Sequence, residues 1–353
     1  MSKEDIIISK LLLWYNKNKR KLPWRIKKNT QKPIPYYIFV SEFMLQQTTV
    51  NEVIRKFNFF LKKWPNLSNF SKCKESDVLK FWSGLGYYRR AINLLKSAKI
   101  ISLKYNNKIP NNYSELIDLP GVGDYTAKAI LGIAFNQPVF PIDANIERII
   151  ARLYGFNQNL NLIKKKIRKK SELFEHKFHS GNLIQSFMDY GSIICLPRNP
   201  KCDICVLKNQ CIASKKRISH LIPIKRKLLS QKKIKYSRSY VIINNANEIL
   251  VRKRNSVGML ASLLEVPNDI WIARKKLLSE DSVLDNFKNK RYKTGSLQYS
   301  FSHFTLKTEI FLIKVKKIKI PKHKWILIKN IENLEFPTLM KQIIQNALTK
   351  QKI

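Results

Sequence analysis

Cys195, Cys202, Cys205 and Cys211 follow one another with six, two and five residues between them. Thiolates so close in the chain can surround one metal centre, and they select soft metals, so an iron–sulfur cluster and a zinc ion are the two candidates. Seventeen residues are too few to bury a core of their own, so the metal has to organise them. Disulfides fit less well. Only Cys73 lies outside the segment, and Met1-Ser-Lys-Glu-Asp places acids where a secretion signal carries positive charge. A reducing, cytoplasmic compartment follows.

A second segment, Leu119-Pro-Gly-Val-Gly-Asp-Tyr-Thr-Ala, joins two helical stretches. Gly121 and Gly123 let the backbone turn sharply and approach a ligand. The helix that follows presents unpaired N–H groups, which suit a phosphate oxygen. An ordinary helix–helix turn is the competing reading for a lone Gly-x-Gly. Two carboxylates draw notice as well. Glu42 has Phe39, Val40, Phe43, Met44 and Leu45 around it, and such company raises a carboxyl pKa towards neutrality. Taken alone, an exposed surface Glu is the commoner case. Asp143 precedes a helix that starts near Ala144, where an N-cap is expected.

The elements that position these residues can be read from periodicity. Val50, Val53, Ile54, Phe57, Leu61 and Trp64 recur at helical spacing, as do Ile92, Leu95, Ala98 and Ile101, and Ile146, Ile149, Ile150, Leu153 and Tyr154. Short breaks with Pro or Gly separate them, which predicts an all-α region over the first 215 or so residues. Lys215 to Lys235 carries nine Lys/Arg and no acid in 21 residues, and reads as a basic linker that can also lie along phosphates. Beyond Tyr236 the texture changes to strands. Tyr240–Ile243 and Ile249–Val251 flank a hairpin signal at 244–248, and Leu306, Thr308, Ile310 and Leu312 alternate as in a sheet. Leu339, Ile343, Ile344 and Ala347 close the chain as an amphipathic helix.

The chain has 353 residues, enough for two domains, and 44% are hydrophobic, which excludes a disordered chain. Its apolar runs fall far short of the roughly 18 residues that cross a bilayer. A formal charge of +43, from 67 Lys+Arg against 24 Asp+Glu, points to nucleic acid as the partner, with a membrane surface second. The richness in Ile and Asn beside Lys is also what an AT-rich coding sequence gives, so the charge supports this partner without proving it.

In combination, Leu22-Pro-Trp-Arg25, Ser41-Glu-Phe-Met-Leu-Gln-Gln-Thr48, Gly84-Leu-Gly-Tyr-Tyr-Arg89, Leu119-Pro-Gly-Val-Gly123, Pro141-Ile-Asp-Ala-Asn145 and the cysteine array make the chain resemble the MutY family, within the endonuclease-three-like DNA glycosylases. The resemblance is dense from Leu22 to Cys211. It implies an all-α helix–hairpin–helix glycosylase domain with an iron–sulfur loop, followed by a Nudix-like α+β domain. The expected boundaries are 1–214, with the hairpin at about 113–134 and the cluster loop at 195–211, a linker at 215–235 and a lesion-recognition domain at 236–353. The cofactor implied is a 4Fe–4S cluster held by Cys195, Cys202, Cys205 and Cys211.

The same resemblance implies a monomeric enzyme of base excision repair that acts on double-stranded DNA with adenine–8-oxoguanine or adenine–guanine mispairs. Glu42 matches the acid that protonates the adenine ring, Asp143 the carboxylate that stabilises the cationic sugar, and Asn145 its positioning amide. Tyr125 stands where bifunctional relatives carry a Schiff-base lysine, so strand cleavage is not expected. The base has to leave the helix, and Gln47 and Tyr87 match the side chains that enter the stack. For Tyr87 core packing competes, since Tyr88 beside it is equally able to be the buried one. Arg198 and Lys201, with Lys208, would face phosphates, as would the hairpin at Gly121 and Gly123.

Phe301, Ser302 and His303 match the reader of oxidised guanine. Over the second domain the resemblance is weaker. The Gly-x5-Glu-x7-Arg-Glu-x-x-Glu-Glu pattern is absent, so diphosphate hydrolysis is not expected, and Gly258-Met-Leu-Ala-Ser-Leu-Leu-Glu-Val-Pro267 lacks a glycine and a tryptophan often found there. Two other classes stay open: a bifunctional glycosylase/lyase for oxidised pyrimidines, and a non-catalytic iron–sulfur DNA-binding protein.

Overall fold

The computed structural model of the chain describes residues 1–25, 32–175, 178–224, 232–255, 258–275, 279–287 and 291–349. Residues 225–231 of the expected linker lie outside them. In chain order the helices are α1 (Lys3–Asn18), α2 (Pro35–Leu45), α3 (Val50–Lys63), α4 (Leu67–Ser71), α5 (Glu75–Trp82) and α6 (Arg89–Lys104). They continue as α7 (Tyr113–Ile117), α8 (Asp124–Phe135), α9 (Ala144–Leu153), α10 (Leu160–Ser171), α11 (Ser180–Ile193) and α12 (Ile212–Lys215). Strands β1 (Lys233–Asn244), β2 (Glu248–Lys253), β3 (Leu264–Glu265), β4 (Arg291–Ser300), β5 (Phe304–Val315) and β6 (His323–Leu327) follow, and α13 (Thr338–Thr349) is last. No helix among the described residues is long and apolar enough to cross a membrane.

The chain divides into two compact units, one of residues 1–72 with 93–227 and one of residues 73–92 with 228–353. In the first, α8 packs on α2 and α11, and α9 on α11. Helix α2 shows why. With Pro35 at its start and buried side chains from Ile38 through Met44, it is apolar nearly all round, so it belongs in a core. Helix α9 buries Ile146, Ile149, Ile150 and Leu153 at the expected spacing, and encloses Arg148, Ala151 and Arg152 with them. Helices α8 and α11 approach closely because both contribute glycine: a Cβ on Gly181 would stand 2.9 Å from the Gly132 carbonyl oxygen.

The second unit is built on a sheet of order β3-β2-β1-β5-β4, with β6 also paired to β2. Strand β1 runs parallel to β5 from Lys233↔Phe304 to Asn244↔Val315 and antiparallel to β2 at Ile243↔Ile249, the hairpin the sequence predicts. The unbroken apolar run Tyr240–Ile243 reflects burial on both faces. Val241 and Ile243 meet α13 through Leu339, Met340, Ile343 and Ile344, while Tyr240 and Ile242 pack on Val283 and Leu284. The buried carboxylates here are paired, Glu265 with Arg252 and Arg254, Asp281 with Arg252 and Asp269 with Arg238. Such pairing suits a structural role.

Candidate active site and thiol cluster

Three helices of the first unit bring the candidate catalytic side chains together. Glu42 is carried on α2 and is 5% exposed. Burial raises its pKa from 4.5 to about 7; a hydrogen bond with Tyr125 opposes the rise, the Asp143 charge adds to it, and Arg25 opposes it. Tyr125, in the first turn of α8, is held well above the usual tyrosine pKa by burial and by the charges of Glu42 and Asp143. Asp143 caps α9: its Oδ1 accepts from the Ile146 amide at 2.7 Å, and its Oδ2 accepts from Asn145 Nδ2 at 2.9 Å. Burial raises the Asp143 pKa, while the amides of Ile146 and Asn145 and the charge of Arg148 hold it down.

The two carboxyls thus differ in their surroundings. Asp143 receives several N–H donors and a nearby guanidinium, all of which favour its anion. Glu42 sits among apolar side chains with a phenol as its hydrogen-bond partner. Burial raises both pKa values, but the donors around Asp143 favour its anion and the apolar enclosure of Glu42 favours its neutral acid, the contrast that separates an acid from a stabilising carboxylate in glycoside cleavage.

Two groups that sequence spacing does not flag complete the site. Arg148, on α9, donates from Nη2 to Asn145 Oδ1 at 2.9 Å and to the Gly191 carbonyl at 2.6 Å, and from Nε to the Cys195 carbonyl at 2.7 Å. Gly191 makes room for this bracket, because a Cβ there would stand 2.5 Å from Asn145 Cβ. Asp189, on α11 and with a fully buried side chain, accepts from Arg25 at 2.7 and 2.9 Å and from Arg20 Nε at 2.6 Å. Burial alone would push the Asp189 pKa up, but these two guanidinium groups hold it below the usual value. The Leu22–Arg25 motif is anchored in this way, and the Arg25 charge is felt at Glu42.

The Gly-x-Gly turn lies where the sequence predicts it. Gly121 has φ +82°, and a Cβ on it would stand 2.8 Å from Asn93 Cβ. Gly123 is the N-cap of α8, and a Cβ there would meet nothing within 4 Å. The first glycine is required by packing and backbone; the second faces open space in front of a helix N-terminus. Gln47 is exposed with φ +56°. In the second unit, Tyr87 is 44% exposed with φ +46° and Tyr88 is the buried one of the pair. Phe301, Ser302 and His303 form the turn from β4 to β5, and the Tyr87 hydroxyl donates to Ser302 Oγ at 2.6 Å. Phe301 packs among Trp271, Tyr299 and Phe304, leaving Ser302 and His303 exposed.

The four thiols converge on one part of the first unit. The charges of Cys195 and Cys202 are felt at Cys205, and those of Cys195 and Cys205 at Cys211. Arg152, itself 2% exposed, donates from Nη1 to Cys195 Sγ at 3.2 Å, and the Tyr190 hydroxyl donates to Cys205 Sγ at 3.1 Å. Burial pushes the Cys211 thiol up to about 11. No three His, Cys, Asp or Glu side chains among the described residues are grouped tightly enough for a single metal ion. A buried guanidinium and a phenol that donate to these sulfurs suit the negative charge of metal thiolates. Arg198 and Lys201 are exposed within this segment.

Comparisons with known proteins agree with this geometry. Residues 40–176 match the HhH-GPD superfamily of base excision DNA repair proteins, residues 195–211 the iron–sulfur binding domain of endonuclease III, and residues 239–346 the NUDIX domain. An adenine DNA glycosylase of Buchnera aphidicola subsp. Baizongia pistaciae is 37% identical over 95% of this chain and 94% of its own length. The human adenine DNA glycosylase is 33% identical over 58% of this chain and 38% of its own length. A solved structure of a thermostable thymine-DNA glycosylase superposes with a TM-score of 0.54 at 30% identity, covering 61% of this chain and 97% of that one.

Proposed function

This chain belongs to the adenine DNA glycosylases of base excision repair, and from that premise we propose that it hydrolyses the N-glycosidic bond of adenine mispaired with 8-oxoguanine or guanine, leaving an abasic site. The observation that carries the chemistry is Glu42, a buried carboxyl raised to about 7 beside Asp143 and Tyr125. Glu42 gives its proton to a ring nitrogen of the extruded adenine. The bond between that base and the sugar breaks, the electron pair leaves with adenine, and a cation develops on the sugar. The Asp143 carboxylate, fixed by Ile146 and Asn145, stabilises that cation. Water then adds to the sugar and gives up its proton to the vacated carboxylate.

Tyr125 has no amine, so it forms no Schiff base with the opened sugar, and the reaction stops at the abasic site. Cys195, Cys202, Cys205 and Cys211 hold a 4Fe–4S cluster, which supports the segment carrying Arg198 and Lys201 and takes no part in bond cleavage. The Gly121–Gly123 turn grips a phosphate, Gln47 and Tyr87 enter the stack, and Phe301, Ser302 and His303 meet the partner base. We assign catalysis to residues 1–214 and lesion recognition to residues 236–353, joined by 215–235, in a monomer of the cytoplasm.

The test is single-turnover excision on duplexes with adenine opposite 8-oxoguanine, guanine or thymine, and with thymine opposite guanine as a control. Rapid release of adenine opposite 8-oxoguanine and guanine, abolished in Glu42→Gln with DNA binding retained, is the expected result. Thymine release, or full activity of Glu42→Gln, would overturn the reading.

A further inference from the structure

The turn that carries Tyr87 is strained and tightly held at once. Gly84, Gly86 and Tyr87 have φ of +92°, +68° and +46°. A left-handed backbone is unfavourable for a tyrosine and persists only where neighbours over-determine it. Arg90 supplies most of that determination. It is 7% exposed, and its Nη2 donates to the Leu85 carbonyl at 2.8 Å and to the Gly86 carbonyl at 3.1 Å. Its guanidinium carbon stands 5.3 Å from the Trp82 ring centre and 5.8 Å from that of Tyr87. The Trp82 indole donates to the same Gly86 carbonyl at 3.1 Å.

Burial lowers the Arg90 pKa to about 10, so this guanidinium has given up much of its hydration. A well-packed apolar side chain would fill such a place at less cost in stability. What an apolar side chain cannot do is hold two carbonyls of one turn while lying over two rings. A planar fork does both, and a lysine ammonium does not.

We propose that Arg90 is the positioning residue of the wedge: it locks the turn in its left-handed form, so that the Tyr87 ring projects outward with its hydroxyl on Ser302. The inference rests on the reading of Tyr87 and Ser302 as the side chains that meet the mispair. In this arrangement the insertion geometry exists before DNA arrives, and extrusion does not wait for the turn to order. Arg90 touches neither base nor sugar, so its loss affects the opening of the helix and leaves the glycosidic chemistry intact.

Arg90→Lys and Tyr87→Ala test this in the full-length protein. Extrusion is followed by stopped-flow fluorescence of 2-aminopurine placed beside the target adenine. Single-turnover excision is measured on two duplexes, one with adenine opposite 8-oxoguanine and one with adenine opposite an abasic site, where no partner base has to be displaced. Arg90→Lys is expected to slow extrusion and excision opposite 8-oxoguanine by about tenfold or more, as small misplacements do, and to leave the unpaired adenine within about twofold of wild type. The double variant should be no slower than Tyr87→Ala.

Equal loss on both duplexes, or no loss on either, overturns the proposal. If Tyr87→Ala shows the selective loss and Arg90→Lys does not, the proposal fails and the wedge reading stands. If Tyr87→Ala shows no selective loss, the wedge reading fails and takes the proposal with it. Should Arg90→Lys not fold, Arg90→Gln, which buries no charge, is measured in the same way.

Discussion

Arg148 and Asn145 are joined by a hydrogen bond of 2.9 Å from Nη2 to Oδ1, and this contact aims the other end of the Asn145 amide at Asp143. The amide is thereby fixed in one orientation, nitrogen towards the carboxylate, as its two partners demand. Through its Nε the same guanidinium also holds the Cys195 carbonyl. A backbone oxygen of the thiol segment and the amide that holds the Asp143 carboxylate thus depend on one arginine.

Replacing Asn145 by Ala removes a donor from Asp143 Oδ2 and leaves Arg148 Nη2 with the Gly191 carbonyl. The single-turnover rate should fall by about 10²-fold, as misplacement of a catalytic group does, with DNA affinity little changed. An unchanged rate in rapid-quench excision would show that Asp143 does not need its amide.

Glu42 makes two pH predictions. In the proposed mechanism Glu42 acts in its protonated form, so the excision rate should fall as pH rises through about 7. Its folded-state pKa lies above the unfolded 4.5, so the stability it contributes is complete below pH 4.5 and is lost as pH rises through about 7. Glu42→Gln carries no such loss. Between pH of about 5 and 9, wild type should therefore lose up to about 3 kcal/mol relative to the variant in paired denaturation curves. Parallel curves would mean that Glu42 is wet.

Gly191→Ala places a methyl 2.5 Å from Asn145 Cβ. Something in the bracket has to move, at a cost of about 1–3 kcal/mol in stability. Alanine favours helices over glycine by about 1 kcal/mol, so the net change in thermal midpoint should be small while excision drops clearly. A fully active variant would mean that α11 shifts without disturbing Asn145.

Tyr125 makes a prediction about the product. Borohydride added during turnover should trap almost no protein–DNA adduct with wild type. Tyr125→Lys puts an amine in the same turn of α8 and should yield trapped adduct, with slower adenine release because the phenol on Glu42 is lost. Strong trapping with wild type would mark an active amine elsewhere, Lys128 first.

Much of this was legible without coordinates because the signals are local. The Gly121 and Gly123 turn, the cysteine spacing, the capping Asp143 and the alternation in β5 each act within a few residues of chain. Glu42 shows the limit. Alone it reads as a surface residue, and only its enclosure by Phe39, Phe43 and the helices packed on α2 makes it an acid with a raised pKa. Arg148 carries no local sequence signal for its role, and Asp189 pairs with an arginine 164 positions away, a distance no helical periodicity encodes. The grouping of residues 73–92 with 228–353 depends on contacts such as Tyr87 with Ser302, between residues far apart in sequence.

Asp143 caps α9, and in the proposed mechanism it is also the anion of the reaction centre. A helix begun by its own reagent cannot fold correctly and leave that reagent misaimed. Damage to either duty is therefore felt by both, and a chain that has wound α9 is already armed before it meets a substrate.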